Sequence, residues 1–331
     1  MSATLSDVAE KLRNAETFMV TCHRGPDGDS VGSMVALASL LRRQGKEAVL
    51  YTPDLVPRNL KWLPLTNDVK RKLTPEDKFD VTIVVDCGDV KLLGEEFPKK
   101  DVTGDIVAID HHASHEPFGD LFWTDSSASS VGVLVSRLAK ELGWDLSRES
   151  ALGLYVSLVS DTGWFRYSNT NAEAFRLAAE LTEEHAVDPW ELSERMTEGA
   201  TLGRYRLLAA VLSTLETVRG GKLAFLKVTA DMVKACDASW EDTEGLVNYA
   251  RSLRGVECGV LISPAKQGGT RISLRSRGRL VDAGVVCKKF GGGGHIGAAG
   301  CTLPGDDLDE ARKAIEEALL DSIGEKLAKL G

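Results

Sequence analysis

The chain has 331 residues, of which 43% are hydrophobic and 27% charged, a composition that is typical of a folded protein of one or two domains and excludes a disordered chain or a disulfide miniprotein. Its formal net charge of −9 argues against a surface that binds long duplex nucleic acid through phosphates. No apolar run approaches the roughly 18 residues of a membrane span and the start lacks a signal-peptide pattern, so we expect a cytoplasmic protein without membrane partners.

In the first half of the chain, short β-branched apolar runs alternate with amphipathic helical stretches, which predicts an α/β domain with a parallel sheet. The predicted strands are 17–21, 47–51, 81–85 and 105–109, and the clearest helices are 30–43, 129–142 and 148–158. Three of these strands lead into polar clusters: HRGPDGD, DCGD and DHHASH. Because ligands bind beyond the carboxyl ends of strands in open α/β sheets, we expect a site at this edge.

The second half begins with amphipathic helices that we interpret as a connector. From about residue 215 the pattern becomes strand, strand, helix, strand, strand, followed by GGGGHIGAAG and a final helix near 307–330. We therefore expect a two-domain α/β fold, with an N-terminal parallel-sheet domain over 1–190, a helical linker over 191–214 and a smaller mixed-sheet domain over 215–331.

The charge is unevenly distributed between these parts. Residues 215–331 carry 17 basic and 16 acidic residues, so the excess acid lies before residue 215. Within the second part, residues 263–289 hold seven basic residues against one acidic residue, Asp282. A local basic segment in an acidic protein suits a small phosphorylated ligand better than a long polyanion.

The first polar cluster holds three potential metal ligands. His23, Asp27 and Asp29 share a loop, punctuated by glycine and proline, that leads into a predicted helix. Imidazole and carboxylate groups can therefore converge without crossing a regular element. Asp29 and Ser30 could instead be simple N-caps of that helix.

Further carboxylates follow at Asp86, after the third predicted strand, and at Asp161, at the end of an apolar helix. If these and the aspartates of the first cluster converge, each like-charge pair would cost up to about 4 kcal/mol at ~4 Å and an effective dielectric near 20. The sum rivals the roughly 5–15 kcal/mol that holds a domain folded. Such a cluster needs raised pKa values or divalent cations, and with His23 and His111 present, two metal ions are the simpler explanation.

The mixture of carboxylates and imidazoles suits Mn²⁺, whereas an all-oxygen site would favour Mg²⁺ and a thiolate site Zn²⁺. Two divalent ions about 3.5–4 Å apart activate a water and stabilise in-line displacement at phosphorus. The expected reaction is therefore phosphoester hydrolysis.

These motifs resemble a known family. HRGPDGDS, VVDCGD, DHH and the region of Asp161 are similar, in order and approximate spacing, to the four motifs of the DHH phosphoesterases. RISLRSRG and GGGGHIGAAG resemble the DHH-associated domain that accompanies them. SDTGWFRYSNT and the short two-domain length are similar to the nanoRNase and pAp-phosphatase (NrnA-like) branch.

The resemblance implies a set of site residues. One metal would be held by His23, Asp27 and Asp86, and the other by Asp29, Asp86, His111 and Asp161. It implies two Mn²⁺ ions per active site, with Mg²⁺ or Co²⁺ as substitutes. His112 would contact the scissile phosphate or assist the leaving oxygen, while Asp110 would orient its neighbours. Arg166, in the loop after Asp161, could meet substrate phosphate or serve a structural role.

The basic and glycine-rich segments of the second domain are the expected substrate site. Strand alternation sends Arg275 and Arg277 to one face and Ser276 to the other, unless the strand ends at Ser276 and the loop turns them. In the glycine run, backbone N–H groups at Gly293 and Gly294 can approach an anion, and His295 can add a donor or a stacking surface. The run could also be a flexible turn. By the resemblance, this domain would hold a terminal phosphate and a base, and would present the next phosphate to the metals across a cleft.

With the resemblance, these features imply Mn²⁺-dependent hydrolysis of RNA of two to five nucleotides to nucleoside 5′-monophosphates, with pAp as a second substrate that the resemblance allows. The expected partners are short 5′-phosphorylated RNA, pAp or linear dinucleotides such as pApA and pGpG. Two alternatives stay open: a phosphodiesterase for cyclic dinucleotides or their linear products, and a non-catalytic nucleotide-sensing protein. Exposed apolar helices allow a homodimer without requiring one.

Overall fold

The computed structural model of the protein describes residues 3–112, 115–198, 200–266, 268–294 and 296–330. They fall into two compact units that divide between residues 199 and 200. Each unit is built around one β-sheet with helices, so the prediction of a two-domain α/β fold is confirmed. Over the described residues, the structure has no helix with the length and apolar character that crossing a bilayer requires.

The first unit contains a five-stranded parallel sheet in the order β2-β1-β3-β4-β5. Its strands are β1 (Thr17–Cys22), β2 (Glu47–Leu50), β3 (Val81–Val85), β4 (Asp105–Asp110) and β5 (Leu121–Thr124). Its helices are α1 (Leu5–Asn14), α2 (Gly28–Arg43), α3 (Lys100–Thr103), α4 (Val131–Leu142), α5 (Arg148–Asp161), α6 (Ala172–His185) and α7 (Pro189–Thr197).

Strand β3 shows why this sheet is parallel and buried. All five of its residues, VTIVV, are buried, as expected for a β-branched run covered on both faces. Val81, Ile83 and Val85 belong to the main core with α1, α2, α4 and α5, while Val84 belongs to a smaller cluster on the other face. The middle strands end level with one another, because Val85 pairs with Cys22 of β1 and with Ile109 of β4. The residues that follow these ends therefore reach the same edge of the sheet.

Helices α2 and α5 pack against each other through glycines. A Cβ added to Gly32 would lie 2.4 Å from the carbonyl oxygen of Gly153, and one added to Gly153 would lie 2.5 Å from that of Gly32. A Cβ on Gly28 would likewise collide with Ser160. This close approach brings the start of α2, which carries Asp29, to the end of α5, where Asp161 lies.

The second unit contains a six-stranded mixed sheet in the order β10-β11-β9-β8-β7-β6, in which only β7 and β8 are parallel neighbours. Its strands are β6 (Glu216–Val218), β7 (Leu223–Lys227), β8 (Cys258–Pro264), β9 (Thr270–Ser276), β10 (Gly293–Gly294) and β11 (Ala298–Leu303). Its helices are α8 (Leu202–Leu212), α9 (Ala230–Ala235), α10 (Val247–Ser252), α11 (Ala283–Lys288) and α12 (Leu308–Leu330). The helices interpreted as a connector are divided between the units, since α6 and α7 lie in the first and α8 in the second.

Three strands were not anticipated from the sequence. Strand β5 has only four residues and stands apart from the other apolar runs. Strands β10 and β11 lie within or beside GGGGHIGAAG, where glycine and alanine have a low intrinsic preference for strands. They form because β11 pairs with β9 over six residues, which is a tertiary contact that local propensity does not reveal.

Candidate active site

The structure brings the predicted metal ligands together at the carboxyl edge of the parallel sheet. Three groups of side chains each have ligand atoms within 4.8 Å of one another: His23, Asp27 and Asp86; Asp29, His111 and Asp161; and Asp86, His111 and His112. Asp86 and His111 each belong to two groups, so the groups form one continuous cluster, which we call the acidic cluster. Imidazole and carboxylate ligands in this mixture can bind a divalent transition metal.

The first loop contributes His23 and Asp27. The His23 Nε2 atom lies 3.5 Å from an Asp86 oxygen, and its Nδ1 atom lies 2.9 Å from the carbonyl oxygen of Arg24. A proton on Nδ1 leaves Nε2 as the ligand atom, which is the usual arrangement of a metal-binding histidine. Asp27 is the N-cap of α2 and accepts a hydrogen bond from the Ser30 N–H at 3.0 Å. The N-cap is therefore Asp27 and not Asp29, and the Ser30 hydroxyl completes the capping box by accepting from the Asp27 N–H at 2.9 Å. Asp27 combines capping with a position in the acidic cluster.

Asp29 is almost fully buried and is held from three directions. One carboxylate oxygen accepts hydrogen bonds from the Ser157 and Ser33 hydroxyls at 2.6 and 3.1 Å. The other accepts from the Val131 N–H at the start of α4, at 3.0 Å. Burial and the nearby charge of Asp86 raise the pKa of Asp29 well above its usual range. The position therefore requires a proton or a bound cation to neutralise it.

Asp86, directly after β3, has a left-handed backbone with φ 57°. This conformation is uncommon for a residue other than glycine and is found at strained functional positions. Burial alone would raise the pKa of Asp86, but the hydrogen bond from His23 and the charges of the neighbouring imidazoles hold it below its usual value. Asp86 is therefore the carboxylate of the cluster that stays ionised most readily.

His112 and Asp110 form a pair beside the cluster. The His112 Nδ1 atom lies 2.6 Å from an oxygen of the buried Asp110 carboxylate. Burial works against the charged imidazole, but the hydrogen bond from Asp110 and the charge of Asp86 raise the pKa of His112 to about 9. With Nδ1 engaged, the charged ring has Nε2 as the nitrogen that can donate a proton.

Asp161 closes the cluster at the end of α5, with an oxygen 3.5 Å from His111 Nε2. Burial and the charges of Asp86 and Asp27 raise the pKa of Asp161 to about 6, against the opposing effect of His111. The Asn169 side-chain amide donates to the Asp161 carboxylate at 2.9 Å and to the Ser129 carbonyl oxygen at 3.0 Å. These contacts fix the Asp161 carboxylate relative to the start of α4.

Arg166 lies in the loop after α5 and contacts the backbone of that loop. Its Nε atom donates to the Gly163 carbonyl oxygen at 2.8 Å, which ties the guanidinium to its own loop. In that loop Trp164 and Phe165 both have left-handed backbones, with φ 59° and 61°. Among the described residues, no ion pair joins Arg166 to the cluster.

In the second unit, β9 ends at Ser276, so Arg277 lies in the following turn. The Ser276 hydroxyl is buried, donates to the Val281 carbonyl oxygen at 2.6 Å and accepts from the Gly278 N–H at 2.9 Å. Arg277 Nε donates to the Val256 carbonyl oxygen at 2.7 Å, and Arg275 Nη1 donates to the Leu274 carbonyl oxygen at 3.0 Å. Ser276 thus stabilises the turn that carries Arg277, while Arg275 lies on β9.

Two residues of the glycine run form the edge strand β10 of the mixed sheet. Gly293 and Gly294 pair with Gly300 and Ala299 of β11. Gly294 has φ 136°, and a Cβ there would lie 2.5 Å from the Ala298 carbonyl oxygen, so only glycine fits. A Cβ on Gly293 would meet nothing within 4 Å. The predicted substrate residue His295 lies outside the described residues.

Three residues that donate hydrogen bonds to the site carboxylates were not identified from the sequence. Ser33 and Ser157 lie inside apolar helices, and Asn169 lies eight residues beyond the carboxylate that it contacts. The helical spacing of Asp29 and Ser33 is the one local signal that could have linked a hydroxyl to a site carboxylate. The other two contacts depend on how α2, α4 and α5 pack.

Comparisons with known proteins agree with this architecture. Residues 17–158 match the family model described as DHH family, N-terminal domain, and residues 222–321 match the DHHA1 domain. The chain is 33% identical to a bifunctional oligoribonuclease and PAP phosphatase NrnA from Thermus thermophilus, over 98% of this chain and 94% of that protein. It is 25% identical to the protein of the same name from Bacillus subtilis, over 87% of this chain and 90% of that protein.

Among solved structures, an exopolyphosphatase-related protein from Bacteroides fragilis superposes with a TM-score of 0.89 at 27% identity and covers 97% of both chains. The two matched domains, the full-length relationship and the acidic cluster lead to one assignment. The chain belongs to the DHH phosphoesterase family, in the NrnA-like branch that carries a DHHA1 domain, and it is a phosphoric ester hydrolase.

Proposed function

We propose that the protein is a Mn²⁺-dependent phosphohydrolase that degrades RNA of two to five nucleotides to nucleoside 5′-monophosphates and converts pAp to AMP. The observation that carries this proposal is the acidic cluster, in which four carboxylates, those of Asp29 and Asp86 buried, meet three imidazoles at one sheet edge. Relatives that span nearly the whole chain are named as oligoribonucleases and PAP phosphatases, which supports this substrate class.

The donor set fits two divalent ions. His23, Asp27 and Asp86 would hold one, and Asp29, Asp86, His111 and Asp161 would hold the other. The raised pKa of Asp29 supports this assignment, because bound cations would remove the cost of ionising a buried carboxylate. Imidazole ligands favour Mn²⁺ over Mg²⁺, with Mg²⁺ or Co²⁺ as substitutes. When bound, the ions would supply Lewis acidity and an activated water for attack at phosphorus.

The protein's own groups supply the remaining steps. The charged His112 donates its Nε2 proton to the ribose oxygen as the phosphorus–oxygen bond breaks. Asp110 holds the Nδ1 side of the ring, and this hydrogen bond favours the charged imidazolium. Asn169 keeps the Asp161 carboxylate oriented towards His111.

In the second unit we propose that two segments bind the terminal phosphate of the substrate. One is the end of β9 with the turn that follows it, which we call the basic turn, and the other is strand β10, which we call the glycine edge. Arg275 and Arg277 would contribute guanidinium groups, and the backbone N–H groups near Gly293 and Gly294 would contribute donors, with His295 beside them. Guanidinium groups match phosphate geometry in a bidentate way. Ser276 would act by holding the turn, since its hydroxyl is engaged with Val281 and Gly278.

The proposal is tested by chromatographic product analysis with Mn²⁺ and equal concentrations of pApA, a 24-nucleotide RNA, pAp, cyclic di-AMP and pyrophosphate. We expect rapid conversion of pApA and pAp to AMP and slow or no turnover of the long RNA. Preferential turnover of cyclic di-AMP would replace the substrate assignment with a cyclic-dinucleotide phosphodiesterase. Binding of pApA without turnover of any of the five compounds would point to a nucleotide-sensing protein instead.

A further inference from the structure

We propose that Asp54, which lies outside every motif described above, is a positioning residue that orients His23 for metal binding. This inference rests on the proposed metal centre. Asp54 lies four residues after strand β2, which is the edge strand that pairs with β1. Its side chain is 29% exposed. Its function would be to fix one peptide group of the first metal-binding loop.

The carboxylate of Asp54 accepts three hydrogen bonds from two consecutive residues of that loop. The Arg24 guanidinium donates to both oxygens, from Nε at 2.7 Å and from Nη2 at 2.9 Å. The Gly25 backbone N–H donates to the same oxygen as Nε, at 2.7 Å. Gly25 has φ 68°, so this contact stabilises the turn in a left-handed conformation that glycine adopts readily.

The contact reaches His23 through a single peptide group. The Gly25 N–H and the Arg24 carbonyl belong to the same planar unit, so fixing the direction of one fixes the direction of the other. The Arg24 carbonyl oxygen lies 2.9 Å from His23 Nδ1, and the Arg24 N–H donates to the Leu92 carbonyl oxygen at 2.8 Å. Asp54 therefore fixes the direction of the Arg24 carbonyl oxygen, which accepts the Nδ1 proton of His23. With Nδ1 held in this way, Nε2 faces Asp86.

The expected effect falls on metal affinity more than on stability. A partly exposed ion pair such as Arg24 with Asp54 contributes little to folding stability. Removing a hydrogen-bonding partner that orients a metal ligand typically costs about 10–100-fold in metal affinity or activity. This difference separates a positioning role from a purely structural one.

The test compares Asp54→Ala and Asp54→Asn with Asp68→Asn, a matched control in which an exposed aspartate loses its pairing with Arg42. Mn²⁺ affinity is measured by electron paramagnetic resonance without substrate, and the melting temperature is measured in EDTA. We expect Asp54→Ala to weaken Mn²⁺ binding about 10–100-fold with a change in melting temperature of no more than about 3 °C. Asp54→Asn keeps one acceptor for the Gly25 N–H and should lie between Asp54→Ala and the wild type.

Turnover of pApA gives a second readout. Saturating Mn²⁺ should restore kcat of Asp54→Ala to within about threefold of the wild type, because the ligands themselves remain. Mn²⁺ affinity of Asp54→Ala within twofold of the wild type, or an equal loss in Asp68→Asn, would overturn the inference while the metal centre stands. A wild-type protein that fails to bind Mn²⁺ would overturn both, whereas Mn²⁺ binding without pApA turnover would affect only the substrate proposal.

If Asp54→Ala does not fold, Arg24→Lys tests the same contact. This variant keeps the positive charge but removes the two-nitrogen contact of the guanidinium with Asp54, and it should weaken Mn²⁺ binding to a smaller extent.

Discussion

The two units prepare their candidate functional residues by different physical means. In the first, side chains from the ends of β1, β3 and β4 and from α2 and α5 meet in a cluster around the buried carboxylates of Asp29 and Asp86. In the second, arginines lie at the end of β9 and the glycine edge offers backbone groups, with Ser276 engaged in internal hydrogen bonds. Ionised carboxylates in the first unit are unfavourable when buried together, so a bound cation would stabilise them. The arginines of the second unit can contact a phosphate, but they do not need one to be stable. The first unit should therefore control chemistry and the second affinity.

The sharpest test of this division is Asp86→Asn. Asp86 belongs to two of the three ligand groups, and asparagine has nearly the same shape without the charge. We expect Mn²⁺ binding to be lost and kcat/KM for pApA to fall by about 1,000-fold or more, as measured by steady-state kinetics. Asp231→Asn, at an exposed position in the second unit, is the matched control and should leave both unchanged. Activity of Asp86→Asn above one tenth of the wild-type value would refute the claim that the acidic cluster of the first unit controls the chemistry.

The opposite pattern is expected for Arg275→Ala in the second unit. Loss of a charged hydrogen bond to phosphate costs about 1.5–3 kcal/mol, so KM for pAp should rise about 10–100-fold with kcat within about threefold. Arg271→Ala, on the same strand, is the control and should leave KM near the wild-type value. A fall in kcat with KM unchanged would contradict the assignment of this residue to substrate binding.

The polar edge of the parallel sheet could be predicted from the sequence because β1, β3 and β4 are local apolar runs, each followed at once by candidate site residues. Strand β3 was predicted at its observed bounds, and the observed β1 and β4 are each one residue longer than predicted. The resemblance supplied the pairing of His111 with Asp161, which the folded chain brings within 3.5 Å.

Other contacts depend on packing between distant segments and left no local pattern. Asn169 contacts Asp161 because the loop after α5 folds back towards Ser129. Asp54 reaches Gly25 because β2 pairs with β1. The short strand β10 was missed because its two glycines carry no side chains from which a strand could be inferred.

The glycine contact between α2 and α5 predicts a large effect on stability with no direct loss of a ligand. Gly153→Ala places a Cβ 2.5 Å from a backbone oxygen and should lower the free energy of unfolding by about 1–3 kcal/mol, measured by urea denaturation. Gly324→Ala in α12 is the matched control, because a Cβ there meets nothing within 4 Å. That variant should be more stable by up to about 1 kcal/mol, since alanine favours a helix. Equal stability of the two variants would show that the helices do not depend on this approach.

The pair of His112 and Asp110 predicts a smaller, pH-dependent effect. In protein treated with EDTA, Asp110→Asn should move the pKa of His112 from about 9 down towards ~6.5, measured from its ring proton signals by NMR. Because the folded protein favours the charged ring, the stabilisation is fully present below about pH 6.5 and is lost as the pH rises through about 9. The stability difference between wild type and Asp110→Asn should therefore shrink above pH 9. A pKa of His112 that stays near 9 in the variant would exclude Asp110 as the cause.

The most direct test of the metal centre is the number of Mn²⁺ ions bound per chain, measured by elemental analysis after equilibrium dialysis against Mn²⁺. Our account predicts two ions for the wild type and a loss of bound metal in Asp86→Asn. Wild-type protein that hydrolyses pApA while binding no divalent metal, or Asp86→Asn protein that still binds two ions, would contradict the proposal that the acidic cluster is a two-metal catalytic centre.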